Sequence, residues 1–149
     1  MEVYVDNNAT TKVDEEVLNA MLPYLKESFA NPSSLYESGK QTRLAIDKAR
    51  DNVAKLLNAK IDEIIFTASA TESNVTAIMS AARNCNGKKR IITSKMEHAS
   101  VLETMNYLET QGFEIVYLDV DDKGKIKIDD LKNAINDDTF LITAGWKSG

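Results

Sequence analysis

Beyond residue 60 the chain alternates short apolar runs with longer stretches in which apolar positions recur every three or four residues. Residues 64–67 (Ile-Ile-Phe-Thr), 90–93 (Arg-Ile-Ile-Thr) and 114–118 (Glu-Ile-Val-Tyr-Leu) have strand length and are rich in β-branched or aromatic side chains. Between them Val75, Ile78, Met79 and Ala82, and then Val101, Leu102, Met105 and Leu108, each share one helical face. Alternation of this kind predicts repeated strand–helix units and a mostly parallel α/β sheet. Further on, the acidic segment 119–124 closes on Gly124 and reads as a surface turn before a short apolar run at 126–128. Asp129 and Asp130 offer a cap for a helix carrying Leu131, Ala134 and Ile135, and 139–143 reads as another strand.

The first 60 residues differ in texture, with a short apolar start, an Asn-rich turn, and two long helical patterns around a loop at 30–34. In the second pattern Leu44, Ala45, Ala49, Val53, Leu56 and Leu57 make a packing stripe, with Asp47, Lys48, Arg50 and Asp51 outside it. No Gly-rich or Ser-rich linker follows. The expectation is one domain, with residues 1–60 as an amino-terminal arm and helical flank and 61–144 as the strand–helix units. A chain of 149 residues, 43% hydrophobic, can bury one sizeable core.

Composition then removes several classes of function. A net charge of −5 argues against a nucleic-acid partner, and the one short basic cluster, Lys88-Lys89-Arg90, reads as a solvated loop before a strand. No apolar run approaches the ~20 residues of a membrane helix. The start lacks the basic and apolar regions of a signal peptide, so a cytoplasmic protein without a membrane partner is expected. Cys85 is the single cysteine, which rules out an intrachain disulfide or a cysteine zinc cluster. Residues 118–122 lack the alternating ligands and closing glutamate of a calcium loop, and no metal is expected.

The segment 66–74, Phe-Thr-Ala-Ser-Ala-Thr-Glu-Ser-Asn, lies between a predicted strand and a predicted helix. The first turn of a helix carries unpaired N–H groups and a positive dipole end, so small and hydroxylated residues there suit a phosphate group. The same residue types are equally ordinary helix caps. His98, the single histidine, follows the next predicted strand at the same edge of the sheet, where ligands of open parallel sheets collect. An imidazole there can stack on a flat ring or exchange protons near neutral pH, or simply cap a helix.

Four motifs, in order, resemble those of the cysteine desulfurases and cover most of the chain. Residues 4–11, Tyr-Val-Asp-Asn-Asn-Ala-Thr-Thr, are similar to the family's amino-terminal signature, and Asn31-Pro32-Ser33-Ser34 with Gly39 to its next block. Residues 66–74 resemble the cofactor-phosphate loop, and Thr93-Ser94 with Glu97-His98 and Ser100-Val101-Leu102 the histidine block. The resemblance implies an incomplete three-layer αβα large domain of a fold-type-I pyridoxal phosphate enzyme. It implies that the Ala70 backbone and Thr71 grip the cofactor phosphate, that His98 covers the pyridine ring and assists proton transfer, and that Asn8 and Asn31 lie near the substrate.

The family converts cysteine to alanine and passes the sulfur, as a protein persulfide, to acceptor proteins, and full-length relatives form homodimers. Ser69 stands where the family usually has glycine; were a positive φ needed there, serine would cost about 1 kcal/mol. Val75 and Tyr36 replace a common asparagine and histidine. The resemblance fades after about Leu141, and the family's cofactor-bonding lysine, substrate arginine and persulfide cysteine belong to segments not matched here. The expectation is therefore a truncated desulfurase, inactive in isolation. The alternative is a non-catalytic binding module, or one half of a split enzyme, that keeps a phosphate cradle.

Overall fold

The computed structural model describes residues 3–7 and 9–145, and the chain divides into two compact units, Met1–Ile65 and Phe66–Gly149. Among the described residues no helix is long and apolar enough to cross a membrane.

In the first unit, α1 (Glu15–Lys26) begins where Asp14 Oδ1 accepts the N–H of Glu16 at 2.8 Å, and Glu15 and Glu16 occupy its first turn, where the helix dipole favours negative charge. The helix α2 (Glu37–Leu57) stops at Asn58, whose left-handed backbone (φ 52°) turns the N–H groups of Asn58 and Ala59 back onto the last carbonyls. The loop before α2 folds on itself, with Ser34 N–H donating to the Asn31 carbonyl at 3.0 Å and Ser33 N–H to Asn31 Oδ1 at 2.9 Å. It crosses α2 at Gly39, where an added Cβ would sit 2.7 Å from the Asn31 carbonyl oxygen and 2.8 Å from Ser34 Cβ and O. Gly39 is thus a backbone contact point rather than a helix break.

The stripe expected along α2 is only partly packed, with Ala45 and Val53 half-buried. Leu44, Leu56 and Leu57 are 61%, 84% and 63% exposed, and only Gly39 and Ala54 of this helix are buried. Helical periodicity identifies a face that would gain from burial, but too little apolar surface among the described residues of this unit meets it.

The second unit runs α3 (Ala70–Arg83), β1 (Arg90–Ser94), α4 (Ala99–Thr110), β2 (Glu114–Leu118), α5 (Ile128–Ala134) and β3 (Thr139–Ile142). The three strands form one parallel sheet in the order β2-β1-β3, with Ile91 beside Ile115 and Leu141 and Ile92 beside Val116 and Ile142. Ile91 and Ile92 point to opposite faces, and both are fully buried, so the central strand is covered on both sides. On one face Ile91 packs with Ile78 and Ala82 of α3 and Val101, Met105 and Leu108 of α4. The chain steps from β1 out to β2 and then back past β1 to β3. Right-handed crossovers with that reversal put α4 and α5 on opposite faces.

The sequence-predicted strands at 90–93, 114–118 and 139–143 are present within a residue or two. The strand expected at 64–67 is not. Ile64 is extended (φ −98°, ψ 121°), but a strand needs a partner for its backbone groups, and no described strand pairs with residues 64–67. The helix expected to be capped by Asp129 and Asp130 begins earlier, at Ile128, with Lys127 at the cap position and no side-chain cap bond; the two aspartates sit in its first turn.

Nor is the basic cluster merely solvated. Cys85 to Lys88 closes a turn through the left-handed pair Asn86 and Gly87, Lys89 Nζ lies 4.7 Å from the Phe113 ring centroid, and Arg90 forks onto Glu114 at 2.9 and 2.6 Å. The acidic turn forms as expected around Gly124 (φ 74°). Asp121 Oδ1 accepts the N–H groups of Lys125 and Lys123 at 2.8 and 2.9 Å, and these bonds to the ionised form hold its carboxyl below the usual carboxylate range.

Two substitutions test this packing. Gly39→Ala should destabilise the chain by about 1–3 kcal/mol despite alanine's better helix propensity, because the new methyl group meets backbone that cannot swing aside; urea unfolding followed by circular dichroism reads it. Thr93 is 1% exposed, and its hydroxyl has no hydrogen-bond partner among the described residues. Thr93→Val should therefore raise stability by about 1 kcal/mol in the same assay, the gain from not burying an unpaired hydroxyl.

Candidate active site

Because the sheet is parallel, all three strands end at one edge, where the chain leaves β1 toward β2 on one side while β3 lies on the other. Ligands of open parallel sheets collect in crevices at this edge. A cleft of about 480 Å³ lies at this place, walled by Met96, Glu97 and His98 after β1, Thr143 to Gly145 after β3, and Asn74 of α3. Lys95, just after β1, pairs with Asp119 after β2 at 2.8 Å.

Glu97 ties the two walls together. Its Oε1 accepts the Ser94 hydroxyl at 3.1 Å and the backbone N–H of Gly145. The approach is close enough that a Cβ on Gly145 would lie 2.9 Å from Glu97 Oε2.

The start of α3 is built by its own sequence. Ser69 is the N-cap and accepts the Glu72 N–H at 3.2 Å, while Glu72 reaches back to the Ala68 N–H at 2.6 Å, a variant of the capping box. Ser69 has φ −162° and ψ 162°, extended backbone open to any residue. The positive φ that would have made serine costly here is therefore absent, and serine contributes a side-chain cap that glycine lacks. Thr67 and Ser73 bond each other and the Ser69 carbonyl. Among the described residues, no partner takes the backbone N–H of Ala70 or of Thr71, or the Thr71 hydroxyl. These three donors suit a phosphate group at the positive end of a 14-residue helix.

His98 caps α4. Its Nδ1 accepts the Ser100 N–H at 3.1 Å and lies 2.9 Å from the Ser100 hydroxyl, which in turn accepts Asn74 Nδ2 at 3.0 Å. The ring is exposed and borders two clefts: the crevice above, and a mostly apolar one of about 590 Å³ between α3 and α4 that Thr71 also lines. Thr71 and His98 thus share one cavity, and the ring caps its helix while remaining open to a ligand.

Asn31 belongs to the other unit, where its side chain and carbonyl serve the loop before α2. Asn8 lies outside the described residues. Sequence reasoning gave Asn74, Glu97 and Ser100 only places in motifs, and assigned no role to Gly145. The spacing of Asn74 and Ser100, 26 residues apart on different helices, carries no signal of their contact.

Residues 3–148 match the aminotransferase class-V family. Similar curated proteins include the cysteine desulfurase IscS of Dictyoglomus turgidum, 53% identical over 143 residues, and the cysteine desulfurase NifS of Azotobacter vinelandii, 44% identical over 146. The alignments cover 95% and 97% of this chain but 36% of each relative, so the chain spans about a third of their length. Among solved structures, a NifS-like protein superposes with a TM-score of 0.91 at 42% identity, covering 97% of this chain and 40% of that one. SspA in complex with cysteine does so with a TM-score of 0.85 at 40% identity, covering 95% and 41%. The expected α/β architecture of fold-type-I desulfurases is the one found, and with a match that runs through both units the chain belongs to the aminotransferase class-V family.

Proposed function

We propose that this chain supplies the phosphate-holding and ring-covering part of a pyridoxal phosphate site in a cysteine desulfurase. The observation that carries the proposal is the set of unpaired donors at the start of α3, the N–H groups of Ala70 and Thr71 and the Thr71 hydroxyl, with Thr71 lining the same cavity as His98. The names of the relatives supply the reaction class.

In this reading Ala70 and Thr71 bind the cofactor phosphate, and the α3 dipole adds to their grip. His98 covers the ring and moves a proton near it, and Asn8 and Asn31 contribute to the substrate side. When bound, the cofactor supplies the electron sink for breaking bonds of the substrate cysteine. Alanine leaves, and the sulfur goes as a persulfide to acceptor proteins for iron–sulfur assembly or thiolation, in a homodimeric enzyme. Among the described residues no lysine lines either cleft, so this chain is assigned holding and orientation rather than turnover.

Titrating the chain with pyridoxal phosphate, followed by cofactor absorbance and fluorescence, tests the assignment. Saturable binding that inorganic phosphate displaces is expected. Thr71→Val should weaken it roughly 10- to 100-fold, the value of a hydrogen bond to a charged group. With cysteine added, alanine should not rise above the level of free cofactor. Failure to bind, or unchanged affinity in Thr71→Val, would overturn the cradle; alanine production by the chain alone would overturn the division of labour.

A further inference from the structure

The contacts of His98 run in one direction. Asn74 Nδ2 is a donor only, so the Ser100 oxygen receives that bond with a lone pair, and its own proton is free to point to His98 Nδ1 at 2.9 Å. The Ser100 backbone N–H, at 3.1 Å, also requires Nδ1 to be an acceptor. Two donors therefore converge on Nδ1, and a proton there would face the Ser100 N–H. Ser100 is held in turn by burial and by the Thr104 hydroxyl, which donates to its carbonyl at 2.7 Å. On the far side of the ring, Nε2 has no partner among the described residues.

We infer that Asn74 and Ser100 are positioning residues that fix the neutral His98 as its Nε2–H tautomer, so that the ring offers its surroundings a hydrogen-bond donor instead of a lone pair. The bond that orients the ring also chooses its tautomer, as it does for many functional histidines. The consequence for cofactor chemistry rests on the site reading above: neutral His98 would give a hydrogen bond from Nε2, and could take up a proton there only after its contacts with Ser100 were broken and its ring proton had moved to Nδ1. The tautomer itself does not depend on that reading.

The chain contains one histidine, so its imidazole nitrogens give an unambiguous spectrum. Long-range ¹H–¹⁵N correlation on the uniformly labelled, cofactor-free chain, at alkaline pH where a free imidazole is neutral, should show a protonated Nε2 and a bare Nδ1. Asn74→Asp keeps the side-chain shape but replaces the donor by an acceptor, which turns the Ser100 hydroxyl away from the ring. That variant should move the tautomer ratio roughly five- to tenfold toward Nδ1–H, the effect of one lost hydrogen bond. Ser100→Ala should act in the same direction, and Ser100→Thr, which keeps the hydroxyl, should restore the parent ratio.

A dominant Nδ1–H form in the parent chain would overturn the inference, as would a ratio unmoved in Asn74→Asp. Should Ser100→Ala fail to fold, the near-isosteric Asn74→Asp still decides. No cofactor is present in these samples, so a chain that fails to bind pyridoxal phosphate loses the function proposed above while this result stands or falls separately.

Discussion

The second unit depends on one strand being satisfied in every direction. β1 is paired along both edges and buried on both faces, and it receives Ile91 on one side and Ile92 on the other. A parallel strand placed this way needs a helix on each side, because its neighbours are reached only by crossovers. Once those are in place the carboxyl ends of the strands are aligned, and the residues just beyond them, Met96 to His98 and Thr143 to Gly145, are gathered at one edge without any further instruction. The candidate site is a by-product of how the central strand is enclosed.

Much of this could be read from the chain. Continuous β-branched runs bounded by turn residues located β1, β2 and β3, and the helical spacing of Val75 to Ala82 and of Val101 to Leu108 located α3 and α4, because local chemistry and tertiary packing agree there. Where the outcome depends on something remote, local patterns failed. Residues 64–67 have strand composition, yet pairing is a property of two segments, and no described strand takes these residues as a partner. The leucines of α2 are spaced for burial, but periodicity says nothing about whether another surface arrives to cover them.

The site divides along the same line. The start of α3 was legible because capping is local, and Ser69 to Glu72 spell it out within four residues. The cost set against Ser69 depended on a positive φ at that position, and the backbone there is extended. His98 was visible as a lone histidine after a strand. Its link through Ser100 to Asn74 was not, since two helices had to pack before Asn74 and Ser100 could meet.

Glu97 is a mechanical part as well as a chemical one. One of its oxygens holds the foot of the loop after β1 through Ser94 and the loop after β3 through Gly145. The two jaws of the crevice are therefore joined by a single carboxylate, one residue from His98, so the width of the opening beside the imidazole is set by one side chain.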